Sequence, residues 1–130
     1  MKEPKSIIRI VESILTYAQE HRVSEITGFP TANGTSITYS PAPNKRQPFA
    51  KKSGRVLQGK HMDHKIWRQV CTRLKIMSGM DTGAQTKCQD GILETTTRGD
   101  RFKARINIRP GTSGEHVVIR TAMLSGWPWT

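Results

Sequence analysis

Four stretches of this 130-residue sequence carry residue types that do chemistry. Gly54 to His61, GRVLQGKH, nearly spells G-x-x-x-x-G-K-[ST], the spacing at which backbone N–H groups cradle phosphates and a lysine reaches them. The last position needs a hydroxyl for magnesium, and His61 stands there. The preceding FAKKS is no buried strand, and no later apolar run ends in the Asp required for a second metal contact. The stretch therefore reads as a glycine-punctuated strand end leading into a helix. Asp81-Thr82-Gly83-Ala84 offers a carboxylate of the kind that two chains pair around a shared proton. Such chemistry needs apolar strands on both sides, whereas a helical pattern precedes this triplet and the polar AQTKCQD follows it. It reads as a helix exit and a turn. His61 and His64, with Asp63 between them, lack a third ligand at suitable spacing and read as a solvated helix end rather than a metal site.

The fourth stretch is FKARINIRPGTSGEHVVIR, residues 102 to 120. Phe102, Ala104, Ile106 and Ile108 fall on one parity, and Lys103, Arg105, Asn107 and Arg109 on the other, so a strand puts the cations on one face. Arg101 shares that face. Arg120, on the strand that returns after the turn, joins it if the register allows. A row of guanidinium groups mounted on a strand suits bidentate contacts to phosphate; the plainer alternative is a solvated sheet face. No nucleophile with a base, no pair of carboxylates and no metal cluster accompanies it, so the sequence assigns no catalytic residue and no metal ligand.

The elements that position this row follow from periodicity. Ile7, Ile10, Val11, Ile14 and Ala18 form one helical stripe across residues 5 to 21, with Pro4 near the start. SEITGF and TSITYS read as a hairpin or neighbouring strands around Asn33-Gly34. Residues 40 to 60, rich in proline and in cations such as Lys45, Arg46, Lys51 and Lys52, read as a mobile basic loop. A second helix, residues 62 to 79, buries Ile66, Trp67, Val70, Cys71, Leu74 and Met77 and ends at Gly79. GILETTT, DRFKARINI and HVVIRTA then form a meander, whose short turns at Arg98-Gly99-Asp100 and Thr112-Ser113-Gly114 force antiparallel neighbours. The expected architecture is one α+β domain over residues 1 to 120, its apolar sheet face covered by both helices, and a linker or tail over residues 121 to 130 that carries Trp127 and Trp129.

With 21 Lys plus Arg against 10 Asp plus Glu, the net charge of +11 favours an anionic partner. Cys71 and Cys88 lie in unlike settings and suggest a reducing compartment. Arg9 and Glu12 interrupt any signal-peptide core, and no apolar run reaches membrane-spanning length, so the expectation is a cytoplasmic protein.

From residue 73 onward the sequence resembles the second N-terminal domain of the hexameric ATPases of type II secretion and type IV pilus assembly. The phrases that carry the likeness are RLKIMSGMD, QDG, RINI and GEHVVIR, matching the family's R-x-K-x-M-x-x-M-D, P-Q-D-G-R, R-V-S and G-E-x-x-V-x-R in order. Upstream, ILTYAQEHRVSEI resembles the family's helix and S-D-I-H strand. Ile92 stands where the family has an arginine and Cys88 where it has a proline; Glu25 and Thr27 replace an Asp and a His. The resemblance implies a divergent member with a PAS-like antiparallel sheet and two amphipathic helices on one face. The family's catalytic half, which binds ATP and magnesium and carries out hydrolysis, lies C-terminal to this domain and outside these 130 residues, so the resemblance implies either a part of a longer ATPase or a stand-alone relative. Arg105 and Arg120 match the arginines that reach nucleotide phosphates, and Arg101, Lys103 and Arg109 would be supporting cations. The implied partners are the adjoining ATPase domain and platform proteins at the inner membrane, with nucleic acid bound only non-specifically. A basic nucleic-acid-binding module and a membrane-surface or partner-docking domain remain as alternatives; the first lacks an aromatic platform in the sequence.

Overall fold

The computed structural model describes residues 5–41, 57–84, 86–97 and 99–121. Two helices, α1 (Lys5–Glu20) and α2 (His64–Met77), accompany six strands: β1 (Val23–Thr31), β2 (Gly34–Pro41), β3 (Leu57–Met62), β4 (Gln89–Thr97), β5 (Asp100–Arg109) and β6 (His116–Thr121). The strands form one open antiparallel sheet in the order β3-β2-β1-β6-β5-β4. The fold is α+β, an antiparallel sheet with two amphipathic helices packed on one face, as the periodicity leads one to expect.

Alternation decides which face is covered. Phe102, Ala104, Ile106 and Ile108 of β5 are buried together with Val117 and Ile119 of β6, under Val11, Leu15 and Ala18 of α1 and Trp67, Val70, Cys71 and Leu74 of α2. Ile10, Ile14, Ile66 and Met77 pack at the margin of this core, and Leu15 lies deeper in it than either flanking isoleucine of α1. On β1 the buried parity switches from Val23 to Ile26 because the β1–β2 register shifts between Val23 and Glu25. Gly28 lets the sheet approach α2: a Cβ there would lie 2.1 Å from the Trp67 ring. The Trp67 indole N–H in turn donates to the Glu115 carbonyl at 2.8 Å, which confirms Trp67 as a core residue with its polar edge satisfied.

The second helix is two residues shorter at each end than its periodicity suggests. Asp63 caps it, its carboxylate accepting from the Ile66 N–H at 2.9 Å, so Met62 belongs to β3 instead. At the other end Gly79, at φ 70°, donates to Ile76 O and Met80 donates to Lys75 O, the paired bonds that close a helix on a left-handed residue. Leu57 to Lys60 were expected within the basic loop; they form strand with His61 and Met62, because β2 offers this segment a partner edge. Ser40 and Pro41, expected in the same loop, close β2, and residues 42 to 56, with Lys45, Arg46, Lys51 and Lys52, lie outside the described residues, as does the tail after Thr121 with its two tryptophans.

Candidate functional site

The sheet face opposite the helices holds the cations, and strand register sorts them into rows. Across β4, β5, β6 and β1 one row reads Ile92, Arg105, Arg120, Glu25; the next reads Asp90, Asn107, Val118, Thr27; in a third, Arg109 lies opposite His116. Arg105 and Arg120, on consecutive strands, thus become direct cross-strand partners on one exposed face. Together with Arg109, Asp90, Asn107 and Val118 they line an open groove of about 360 Å³.

Arg101 and Lys103 share the face but not the groove. Lys103 lies opposite Glu94, and Arg101, four residues along β5 from Arg105 and so about 13 Å away, pairs with the Glu94 carboxylate. Of the five cations that alternation puts on this face, register therefore brings three together. Two like charges directly opposed on a sheet destabilise it slightly, and an anion between them reverses the sign of that interaction. Carboxylates temper the charge at the groove. Glu25 Oε1 accepts from Arg120 Nε at 3.4 Å, while Thr27 donates to its other oxygen at 3.5 Å. Asn107 Nδ2 donates to Asp90 Oδ1 at 2.8 Å and holds that carboxylate between the arginine rows.

The other stretches with chemical potential have structural tasks. His61 Nε2 donates to Asn33 O at 2.8 Å and His64 Nε2 to Thr31 O at 2.6 Å, so the first imidazole ties the β1–β2 turn to β3 and the second ties it to the start of α2. Asp81 caps its own turn by accepting from the Gly83 N–H at 2.9 Å, in a loop that follows α2 directly. Burial pushes the Cys71 thiol up, with the Glu115 charge adding to the effect and Lys75 opposing it, so the sulfur stays protonated and unreactive.

Sequence reasoning missed the residues that build the floor beneath the face. Lys75 is buried on α2; its ammonium lies 2.9 Å from Glu115 Oε2 and donates to Ala84 O at 3.0 Å. Gln89 clamps the same loop, accepting from the Asp81 N–H at 2.9 Å and donating to Asp81 O at 3.0 Å. Gly91 runs close beneath Ser78 and Met80, where a Cβ would come within 3.3 Å of the Ser78 carbonyl. A lysine on an apolar stripe gives no sign of its partner in sequence. For Asp90 and Asn107 the signal existed, since alternation in QDGILET and RINI puts both on the cationic face. Phe29, half exposed on β1 and edge-on to His116 with centroids 4.7 Å apart, also lies on the open face.

No protein-family model matches this chain, and no curated protein matches it. No helix among the described residues is long and apolar enough to cross a membrane.

Proposed function

We propose that this chain is the non-catalytic N-terminal domain of a secretion or type IV pilus assembly ATPase, packing its open sheet face on an ATPase domain and presenting Arg105 and Arg120 to nucleotide phosphates. The observation that carries the reading is the register that makes these two arginines cross-strand neighbours above a groove shared with Arg109. Guanidinium groups on adjacent strands hold a fixed spacing, which suits them to phosphate oxygens better than cations on a loop. The buried Lys75–Glu115 pair and the Gln89 clamp support it from below, because they fix the loop and the β5–β6 turn at the edges of that face.

In this reading ATP and magnesium bind to the ATPase domain, and hydrolysis occurs there. Arg105 and Arg120 bind and orient phosphate oxygens and offset their charge; Arg109 supports them from the third row. The protein works in the cytoplasm, at the inner membrane through platform proteins, and meets nucleic acid only by non-specific charge attraction. The test is turnover by the hexameric ATPase that contains the domain. Arg105→Ala or Arg120→Ala lowers it by at least about tenfold, the equivalent of one lost phosphate contact of about 1.4 kcal/mol, and Lys103→Ala changes it much less. Equal and small effects from all three variants would reduce the row to a solvated face.

A further inference from the structure

We infer that the open face binds single-stranded nucleic acid, with a base stacked on Phe29 and phosphates on the arginines. This goes beyond the reading above, which leaves nucleic acid to charge attraction alone, and concerns the face when no ATPase domain covers it; the two share only the phosphate contacts. In the third row Arg109 lies opposite His116, and Phe29 of β1 meets the His116 ring with centroids 4.7 Å apart at 89°. The pair is edge-on, so His116 fixes the Phe29 ring without covering it as a parallel neighbour would, and Phe29 stays 50% exposed. An aromatic ring held on an open sheet beside cations is a stacking platform for a base, and phenyl, imidazole and guanidinium planes all serve. The two rings come from β1 and β6, strands that only the fold makes neighbours, so no aromatic cluster announces them in sequence. Arg105 and Arg120 stand four residues along β5 and β6 from Arg109 and His116, about 13 Å, a distance that a short run of extended single strand bridges. The row between holds Val118 and Asn107, an apolar surface and an amide for sugar or base edge. Asp90 lies there too, accepting from Asn107 Nδ2 at 2.8 Å, and its charge keeps phosphates to the arginine rows on either side. A base inside a duplex has no free face to stack, so this arrangement favours single strands, whereas charge alone favours the duplex with its denser phosphates.

The test titrates this chain, at physiological ionic strength, into fluorescein-labelled oligothymidylate, oligouridylate and a DNA duplex of equal length, read by anisotropy. Both single strands bind at least about tenfold more tightly than the duplex. Phe29→Ala weakens single-strand binding by about tenfold and leaves the duplex unchanged. Phe29→Leu, which keeps apolar bulk but has no ring face, weakens it likewise, and Phe29→Trp retains it; these two fill the site, so the comparison survives any cost of truncation to folding. Equal affinity for the two single strands supports stacking shared by DNA and RNA, and a preference for one names the polymer. Duplex and single strands bound alike, with no response to Phe29→Ala, would reduce the contact to charge and overturn the stacking role while the phosphate reading stands. Phe29→Leu binding as the unaltered chain does would overturn it as well, since a plain apolar contact then suffices. Undiminished single-strand binding by the Arg105→Ala/Arg120→Ala double variant would put the strand elsewhere and overturn the assignment of this face.

Discussion

The two faces of the sheet use the same kinds of residue to opposite ends. Beneath it, a lysine and a glutamate are sealed from water as a pair that ties α2, the loop after it and the β5–β6 turn together. Above it, arginines and acids stand in solvent, and the Arg120–Glu25 pair has side chains 63% and 37% exposed. A buried pair broken on one side leaves an uncompensated charge, whereas a surface pair contributes about 0–1 kcal/mol. Charge on the covered face is therefore architecture, and charge on the open face is accessible to solvent. The phrases behind the secretion-ATPase resemblance divide along the same line: Lys75, Gln89, Gly91 and Glu115 brace the fold, and Arg105 and Arg120 look outward.

Breaking the covered side has the largest expected effect. Lys75→Ala leaves Glu115 unpaired and costs about 3–5 kcal/mol in chemical denaturation; a loss under about 1 kcal/mol would mean that the pair does not brace the fold. Leu74→Ala, in the α2 stripe at 4% exposure, costs about 2–5 kcal/mol through lost burial and the cavity it leaves. Alkaline pH probes the same face more gently. Burial, with Tyr17 adding, pushes the Tyr39 phenol from 10.0 up to about 12. The folded state keeps a proton that the unfolded chain releases, so this contribution is complete below pH 10 and falls by about 1.4 kcal/mol per pH unit until the folded phenol ionises near 12. Stability should be lower at pH 11 than at pH 9, and Tyr39→Phe should remove about 1.4 kcal/mol of that loss, the raised Cys71 thiol accounting for the part that persists. The smallest effect belongs to the open face: Arg105→Ala and Arg120→Ala leave stability within about 0.5 kcal/mol. A large loss in either would make it a structural arginine.

What was legible in the sequence follows from period and parity. Strict alternation in residues 101 to 109 identifies the covered and open faces of β5, and the three-four spacing of Trp67, Val70, Cys71 and Leu74 identifies the buried side of α2. Parity cannot supply register, which decides that Arg120 lies opposite Arg105 and that Arg101 and Lys103 fall outside the groove. The basic composition of residues 40 to 60 predicts loop at Leu57 to Lys60, whereas a short polar segment becomes strand when an existing edge accepts it. The burial of Lys75 is illegible for a related reason: it depends on Glu115, forty residues away in sequence, and no local pattern announces a distant counter-charge.

The central claim is that the open-face arginines are a phosphate site and not a solvated surface. Titrating this chain with inorganic triphosphate at physiological ionic strength, and following backbone amide and arginine side-chain signals, tests it directly. The account predicts shifts confined to the groove, around Arg105, Arg109 and Arg120, that weaken at least tenfold in the Arg105→Ala/Arg120→Ala double variant and little in Lys103→Ala. Shifts scattered over the cationic surface, or an equal loss in Lys103→Ala, would contradict it.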